Sequence, residues 1–226
     1  MLKKIIHNCA VIIIVVMALC IATSMAHAAT IDTTGTDEDT IYDFGAPNTA
    51  TYGQTFAVSG TDTLLNSFSL YLRNRIEGAG SLDLRGYIAG WDGHKASTIL
   101  YESTTQTMNA GGNLQEFNFS TGGLNLVAGD FYVAFLSISN LGVQPDSRFG
   151  MPHSSDAIPG QFVFINNGTN FSLLTGQDWF LNFIGNKDTW FKADLSPGSS
   201  VPEPTTMLFL GFGLIGVAGI KRKFKN

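Results

Sequence analysis

The body of this 226-residue chain alternates apolar and polar side chains with a period of two, and that pattern leaves few folds open to it. Phe68, Leu70 and Leu72 alternate with Ser67, Ser69 and Tyr71; Leu82, Leu84 and Ile88 with Asp83, Arg85 and Tyr87; Phe131, Val133 and Phe135 with Tyr132, Ala134 and Leu136. Successive side chains of a strand point to opposite faces, so each run predicts a half-buried strand, with Phe135 on the inward face of its own. Comparable runs span Tyr52 to Val58, Ile99 to Ser103, Leu114 to Phe119, Phe162 to Ile165, Phe171 to Leu174, Trp179 to Ile184 and Trp190 to Leu195. About ten short strands result.

Turn chemistry separates them at Gly78-Ala79-Gly80, Asp92-Gly93, Gly111-Gly112-Asn113, Thr121-Gly122-Gly123, Ala128-Gly129-Asp130 and Asn166-Asn167-Gly168. No internal stretch sustains a 3.6-residue period for three turns. The expected fold class is all-β, an antiparallel β-sandwich of jelly-roll type over residues 50–196, flanked by an N-terminal signal peptide and a C-terminal single transmembrane helix. Residues 29–49 read as a polar arm, mobile or loosely docked, because Thr33 to Asn48 is polar and carries Asp37-Glu38-Asp39. Leu141 to Gly160, with Pro145, Pro152 and Pro159, reads as one long loop between strands. Residues 197–201 form a linker.

Both ends of the chain depart from this pattern. Residues 1–28 have the parts of a secretory signal peptide: Lys3 and Lys4 ahead of an apolar stretch from Ala10 to Ala22, then Ala26-His27-Ala28 as a small-x-small cleavage site before Ala29. At the other end, Val201-Pro202-Glu203-Pro204 precedes an uncharged run from Thr205 to Ile220 and a basic terminus at residues 221–226. The run has apolar residues on every side, so its natural solvent is lipid. Lys221, Arg222, Lys223 and Lys225 stand where they would stop transfer, on the cytoplasmic side of a span. As a helix those sixteen residues cover about 24 Å against a bilayer core of about 30 Å, which makes the span short.

A Pro-Glu-Pro, one Gly-rich apolar span and a basic end at the extreme C-terminus resemble the PEP-CTERM sorting signal of exported bacterial proteins. The resemblance implies that an exosortase, a membrane protease-transpeptidase, recognises Pro202, Glu203 and Pro204, cuts near them and passes the protein to the cell surface or extracellular matrix. It covers residues 202–226. A second resemblance lies in the body, where Tyr52-Gly53-Gln54-Thr55-Phe56, Leu65-Asn66-Ser67-Phe68, Trp91-Asp92-Gly93, Leu100-Tyr101-Glu102-Ser103 and Leu124 to Phe135 are similar to β-sandwich ectodomains attached to such tails. It implies a fold and no activity.

Cys9 and Cys20 are the sequence's two cysteines, and both fall in the signal peptide. Residues 29–200 therefore have no thiol for a disulfide, a metal site or a nucleophile, and their cohesion must come from packing. The same residues hold 7 Lys/Arg against 17 Asp/Glu, a net of −10. Such a surface repels phosphate, so nucleic acid is not an expected partner.

No pair of carboxylates is singled out by spacing, and His94 and His153 belong to no catalytic pattern and read as solvated turn histidines. No catalytic residue, metal or cofactor is expected. Asp37-Glu38-Asp39 lacks the spacing of a calcium loop. Sugar binding is the stronger rival to an inert scaffold, ahead of a secreted hydrolase, because flat aromatic faces suit pyranose rings. Of Trp91, Trp179, Trp190, Tyr71, Tyr87 and Tyr132, Trp91 is the best platform, since it abuts the Asp92-Gly93 turn; Trp91 and Asp92 are the candidate site, and an extracellular polysaccharide the candidate ligand.

Overall fold

The computed structural model describes residues 29–35, 37–74, 80–111, 113–155, 158–181, 183–185 and 187–198. The signal peptide, the sorting motif with Pro202, Glu203 and Pro204, the 205–220 span and the basic residues Lys221, Arg222, Lys223 and Lys225 lie outside the described residues. Among those described, no helix is long and apolar enough to cross a membrane.

The described residues form twelve strands and one helical turn, in order β1 (Ala29–Asp32), β2 (Asp39–Phe44), β3 (Thr51–Ala57), β4 (Leu64–Asn74), β5 (Leu82–Trp91), β6 (Ala96–Glu102), β7 (Gln106–Met108), β8 (Leu114–Asn125), β9 (Phe131–Ser137), β10 (Phe149–His153), β11 (Phe162–Ile165), α1 (Leu173–Gly176) and β12 (Phe191–Ser196). They form two antiparallel sheets. The first runs β1-β12-β4-β10-β2, with β8 also on β4; the second runs β11-β3-β9-β5-β6, with β7 also on β5. Two packed antiparallel sheets are what the period-two pattern requires.

The main core lies between the sheets. Phe68, Leu70 and Leu72 of β4, Leu82, Leu84 and Ile88 of β5, and Phe117 and Phe119 of β8 are all buried there. At Gly86 of β5 a side chain is impossible without rearrangement, because a Cβ would stand 2.5 Å from the Phe119 ring. A glutamine also sits in this core. Gln54 is fully buried, and its amide oxygen accepts from the Thr189 backbone N–H (2.8 Å) and Oγ1 (3.2 Å), while its Nε2 donates to Asp188 Oδ1 (2.5 Å) and the Thr55 carbonyl (3.0 Å). Each polar atom has a partner, which is the condition for burying it at all.

A second core covers the outer face of the second sheet. Tyr87, Ala89, Val133 and Phe135 are buried there under Leu174 of α1 and Trp179. This corrects the expected facing of β9: Tyr132, Ala134 and Leu136 point between the sheets, and Phe135 points outward into the second core, stacked on Tyr87 at 4.9 Å. Alternation alone could not decide, because both faces of β9 are apolar and both are covered.

Other expectations are corrected in the same way. Residues 29–49 are no loose arm but supply β1 and β2, paired to β12 and β10. Asp37 and Glu38 form ion pairs with Arg73 (2.6 Å) and Lys187 (2.5 Å). The Leu141 to Gly160 stretch contains β10, and His153 is buried in that strand rather than solvated in a turn. Phe171 to Leu174 enters α1 instead of a strand, and the described residues of Trp179 to Ile184 make isolated bridges, Phe180 opposite Phe164 among them. Thr121-Gly122-Gly123 is a bulge inside β8, where the pairing jumps from Ser67–Ser120 to Leu65–Leu124.

The two termini of the sandwich meet at one end. Ala29, first residue of β1, lies opposite Leu195 near the end of β12. Beyond β12, the Gly198 N–H donates to the Thr61 carbonyl (3.2 Å) in the β3–β4 connection, and the next connection to the side is tied in by Val58 N–H to the Asp130 carbonyl (3.2 Å) and Gly129 N–H to the Val58 carbonyl (2.9 Å).

Candidate functional site

Three chain segments converge on the outer face of the second sheet at this end and enclose an open cleft of about 560 Å³. The first is the β5–β6 turn. Asp92 N–H donates to the Lys95 carbonyl (3.2 Å), and Asp92 Oδ1 accepts from the backbone N–H groups of His94 (2.9 Å) and Lys95 (2.8 Å). Those two bonds hold the Asp92 carboxyl below its ordinary range. Gly93 takes the positive φ, +102°, that closes the turn.

Trp91, the last residue of β5, is half-buried and lines the cleft. Its indole stands edge-on to Trp179 at 5.7 Å and 81°. Trp179 is itself fixed by donating its backbone N–H to the His94 carbonyl (2.9 Å) and Nε1–H to the Leu174 carbonyl (2.9 Å). The second core thus buttresses the turn that carries Trp91 and Asp92.

The second segment is the β8–β9 turn, which brings Asp130 and Phe131; Phe131 is 43 % exposed. It stands one residue before Tyr132, whose partner Gly90 stands one before Trp91, so the antiparallel register, continued by one step, sets the two aromatics opposite each other on neighbouring strands of the sheet's outer face. The third is Gly160-Gln161, docked on β3 by Thr55 N–H to the Gln161 carbonyl (3.0 Å) and Gln161 N–H to Thr55 Oγ1 (2.9 Å). That docking needs a glycine, since a Cβ at Gly160 would fall 1.9 Å from the Thr55 carbonyl oxygen. Thr55 lies beneath, buried.

The structure places Trp91 and Asp92 in one cleft and sets beside them Asp130, Phe131 and Gln161, which no local pattern tied to them. The other five aromatic candidates are elsewhere. Tyr71, Tyr87, Tyr132 and Trp179 are buried, and Trp190 is half-buried against Tyr71 with Arg73 Cζ 5.9 Å from its ring. His94 is exposed in the β5–β6 turn. His153 is buried in the first sheet, and its Nδ1 has no hydrogen-bond partner among the described residues.

Two smaller hollows are apolar. One of about 190 Å³ lies between Ala29, Phe56 and Leu195 at the end where the termini meet. The other, about 220 Å³, lies between Ala46, Pro47, Ile138 and Val143, near where β3 begins and β9 ends, at the opposite end.

A two-sheet antiparallel sandwich with a surface cleft is the class that fold and site define. The particular signal is at its C-terminus: residues 200–223 are a PEP-CTERM protein-sorting motif, which marks an exported protein in transit through the membrane toward the cell surface. No curated protein matches the chain. Among solved structures, the clostridial cysteine protease Cwp84 after propeptide cleavage is similar, with a TM-score of 0.50 and 10% identity over 76% of this chain. A structure of the cysteine protease and lectin-like domains of Cwp84, a surface layer associated protein of Clostridium difficile, gives 0.44 and 12% identity over 72% of this chain. The chain spans 40% and 37% of those two chains, and at 10% identity the first likeness speaks for the fold alone.

Proposed function

We propose that this is a non-enzymatic surface protein whose sandwich, of the jelly-roll type, is exported behind a cleaved signal peptide at residues 1–28. It is held in the membrane by the 205–220 span, with Lys221, Arg222, Lys223 and Lys225 inside, and is then cut by an exosortase at Pro202-Glu203-Pro204. Released to the cell surface or extracellular matrix, it acts by binding, with an extracellular polysaccharide as its partner. The observation that carries this is the sorting motif at residues 200–223.

Physical chemistry supports the cut. Each proline fixes its own φ and disfavours helix in the residue before it, so Pro202-Glu203-Pro204 favours an extended chain that a protease can grip. A sixteen-residue span suits a temporary anchor better than a permanent one. Against catalysis stand the two histidines of residues 29–200, His94 exposed in the β5–β6 turn and His153 buried in the first sheet, and the confinement of both cysteines to residues 1–28.

The test is intact-mass measurement on surface and membrane fractions of a host with the matching exosortase. The surface form is expected to lack Thr205 to Asn226, and Pro202→Ala with Glu203→Ala to leave an uncut, membrane-retained form. A surface species still carrying Lys221 to Asn226 overturns the reading.

A further inference from the structure

The geometry points to the Trp91 cleft as a binding site for uncharged hexopyranose units of a polysaccharide, with acidic sugars excluded. This rests on the reading of the sandwich as a binding protein rather than a catalyst, and it deepens that reading by naming the site and the ligand's charge. Two large aromatic side chains are left partly in water here, whereas Tyr52, Tyr87 and Tyr132 on the inner strands of the same sheet are buried. Trp91 is not loose. Its contact with Trp179 and the hydrogen-bonded turn after it hold the indole in place before any ligand arrives, which lowers the ordering cost of binding.

The polar groups fit hydroxyls. Asp92 has committed Oδ1 to the turn, while Oδ2 accepts no hydrogen bond among the described residues, and the Asp130 carboxylate accepts none there either. Carboxylate oxygens take hydrogen bonds from sugar O–H groups, and the apolar C–H face of a pyranose ring lies against an indole. Gln161 lines the third wall.

Charge then narrows the class. Asp92 and Asp130 both line the cleft, and the body around them is net −10, so a uronate or sulfated sugar meets repulsion within a few ångströms and from the whole domain. A volume of about 560 Å³ is ordinary for a small-molecule site, and its open mouth admits a unit that continues as a polymer.

The experiment is an oligosaccharide array carrying neutral glucans, galactans and mannans beside polygalacturonate and alginate, probed with the exported protein. Retention on one or more neutral oligosaccharides is expected, weakened at least about tenfold by Trp91→Ala and several-fold by Asp130→Asn, with Val143→Asp at the far end binding as wild type. Because Trp91→Ala also removes the Trp179 contact, its thermal midpoint is measured. If it has unfolded, the exposed pair Phe131→Ser with Asp130→Asn decides in its place. No retention of any neutral oligosaccharide, retention that survives these changes, or preference for the acidic polymers overturns the proposal. The sample's mass separates the two readings: binding by a species that keeps its tail sinks the sorting and leaves the site, and a trimmed species that binds nothing does the reverse.

Discussion

The two cores on either side of the second sheet are built from similar residues and enclosed differently. The main core is closed by two regular sheets, whose backbone groups are satisfied by strand pairing. The second is closed by residues 166–184, which contribute one turn of helix and scattered bridges. Cohesion of the whole fold should therefore reside in the first, whereas the second holds one feature in position, the Trp91 turn, through Trp179. Apolar burial of equal extent can serve stability in one place and positioning in another.

The largest expected effect tests the first half of that contrast. Phe68 is buried against Phe119 at 4.9 Å and Tyr101 at 5.8 Å, between the sheets. Phe68→Ala should cost about 3–5 kcal/mol in urea unfolding, with every probe reporting one transition. A loss below about 1 kcal/mol would remove the main core from its leading role. Phe135→Ala should cost about 3 kcal/mol, at the low end for such a truncation, because the irregular cover over Phe135 can settle into the space. Its distinguishing mark is early opening of residues 166–181 in hydrogen exchange, ahead of β4 and β8. If those segments open together, the two cores are one cooperative unit.

Overpacking comes next. Gly86→Ala drives a methyl into the Phe119 ring and should cost about 1–3 kcal/mol, measured in the same denaturation series. A smaller effect belongs to Tyr101, whose hydroxyl donates to the Ser120 carbonyl (2.9 Å) on the outer edge of β8. Tyr101→Phe should lose about 0.5–1.5 kcal/mol, because it leaves the phenyl ring in place and removes one bond.

The smallest effect is a pH dependence. The Asp92 carboxyl is lowered from its ordinary 3.8 by the His94 and Lys95 N–H groups, so its contribution is present above that value and fades as pH falls through the lowered one. Asp92→Asn keeps a neutral turn acceptor and has no such dependence. The difference in midpoint between the two proteins should be flat near neutrality and shrink below about pH 4; a difference constant down to pH 2 would mean that the charge contributes nothing.

Several strands were legible whether their outer face is wet, as in β8, or covered by the second core, as in β5 and β11. β4, β5, β8 and β11 stand where Phe68, Leu82, Leu114 and Phe162 announced them. What failed has identifiable causes. β1 and β2 are short and interleave Thr and Asp with few apolar residues, Ile31 in one and Ile41 and Phe44 in the other, so the hydrophobic pattern is weak although Ile41 and Phe44 are buried in the main core. β10 contains Gly150 and Pro152, residues that argue against a strand anywhere but near an edge. Around the cleft, Trp91 and Asp92 share one turn and could be found together. Asp130, Phe131 and Gln161 meet them through sheet register, which a linear pattern does not carry.

The neighbour relations of β12 set an order in time. It is the last of the described strands to be made, and it lies between β1, the first of them, and β4. A chain emerging N-terminus first can assemble β3, β5, β6 and β9 of the second sheet from residues 51–137, but Ala29 to Asp32 must wait for Lys192 to Leu195 before they have a partner. Until then the facing edges of β1 and β4 are unpaired and open to strands of other chains. The first sheet closes only as the last few residues before the sorting motif leave the channel. A molecule that stalls or is trimmed upstream of Phe191 is left with exposed edges and a short future, and every molecule that reaches the sorting step with β12 in place has already shown that its whole length came through.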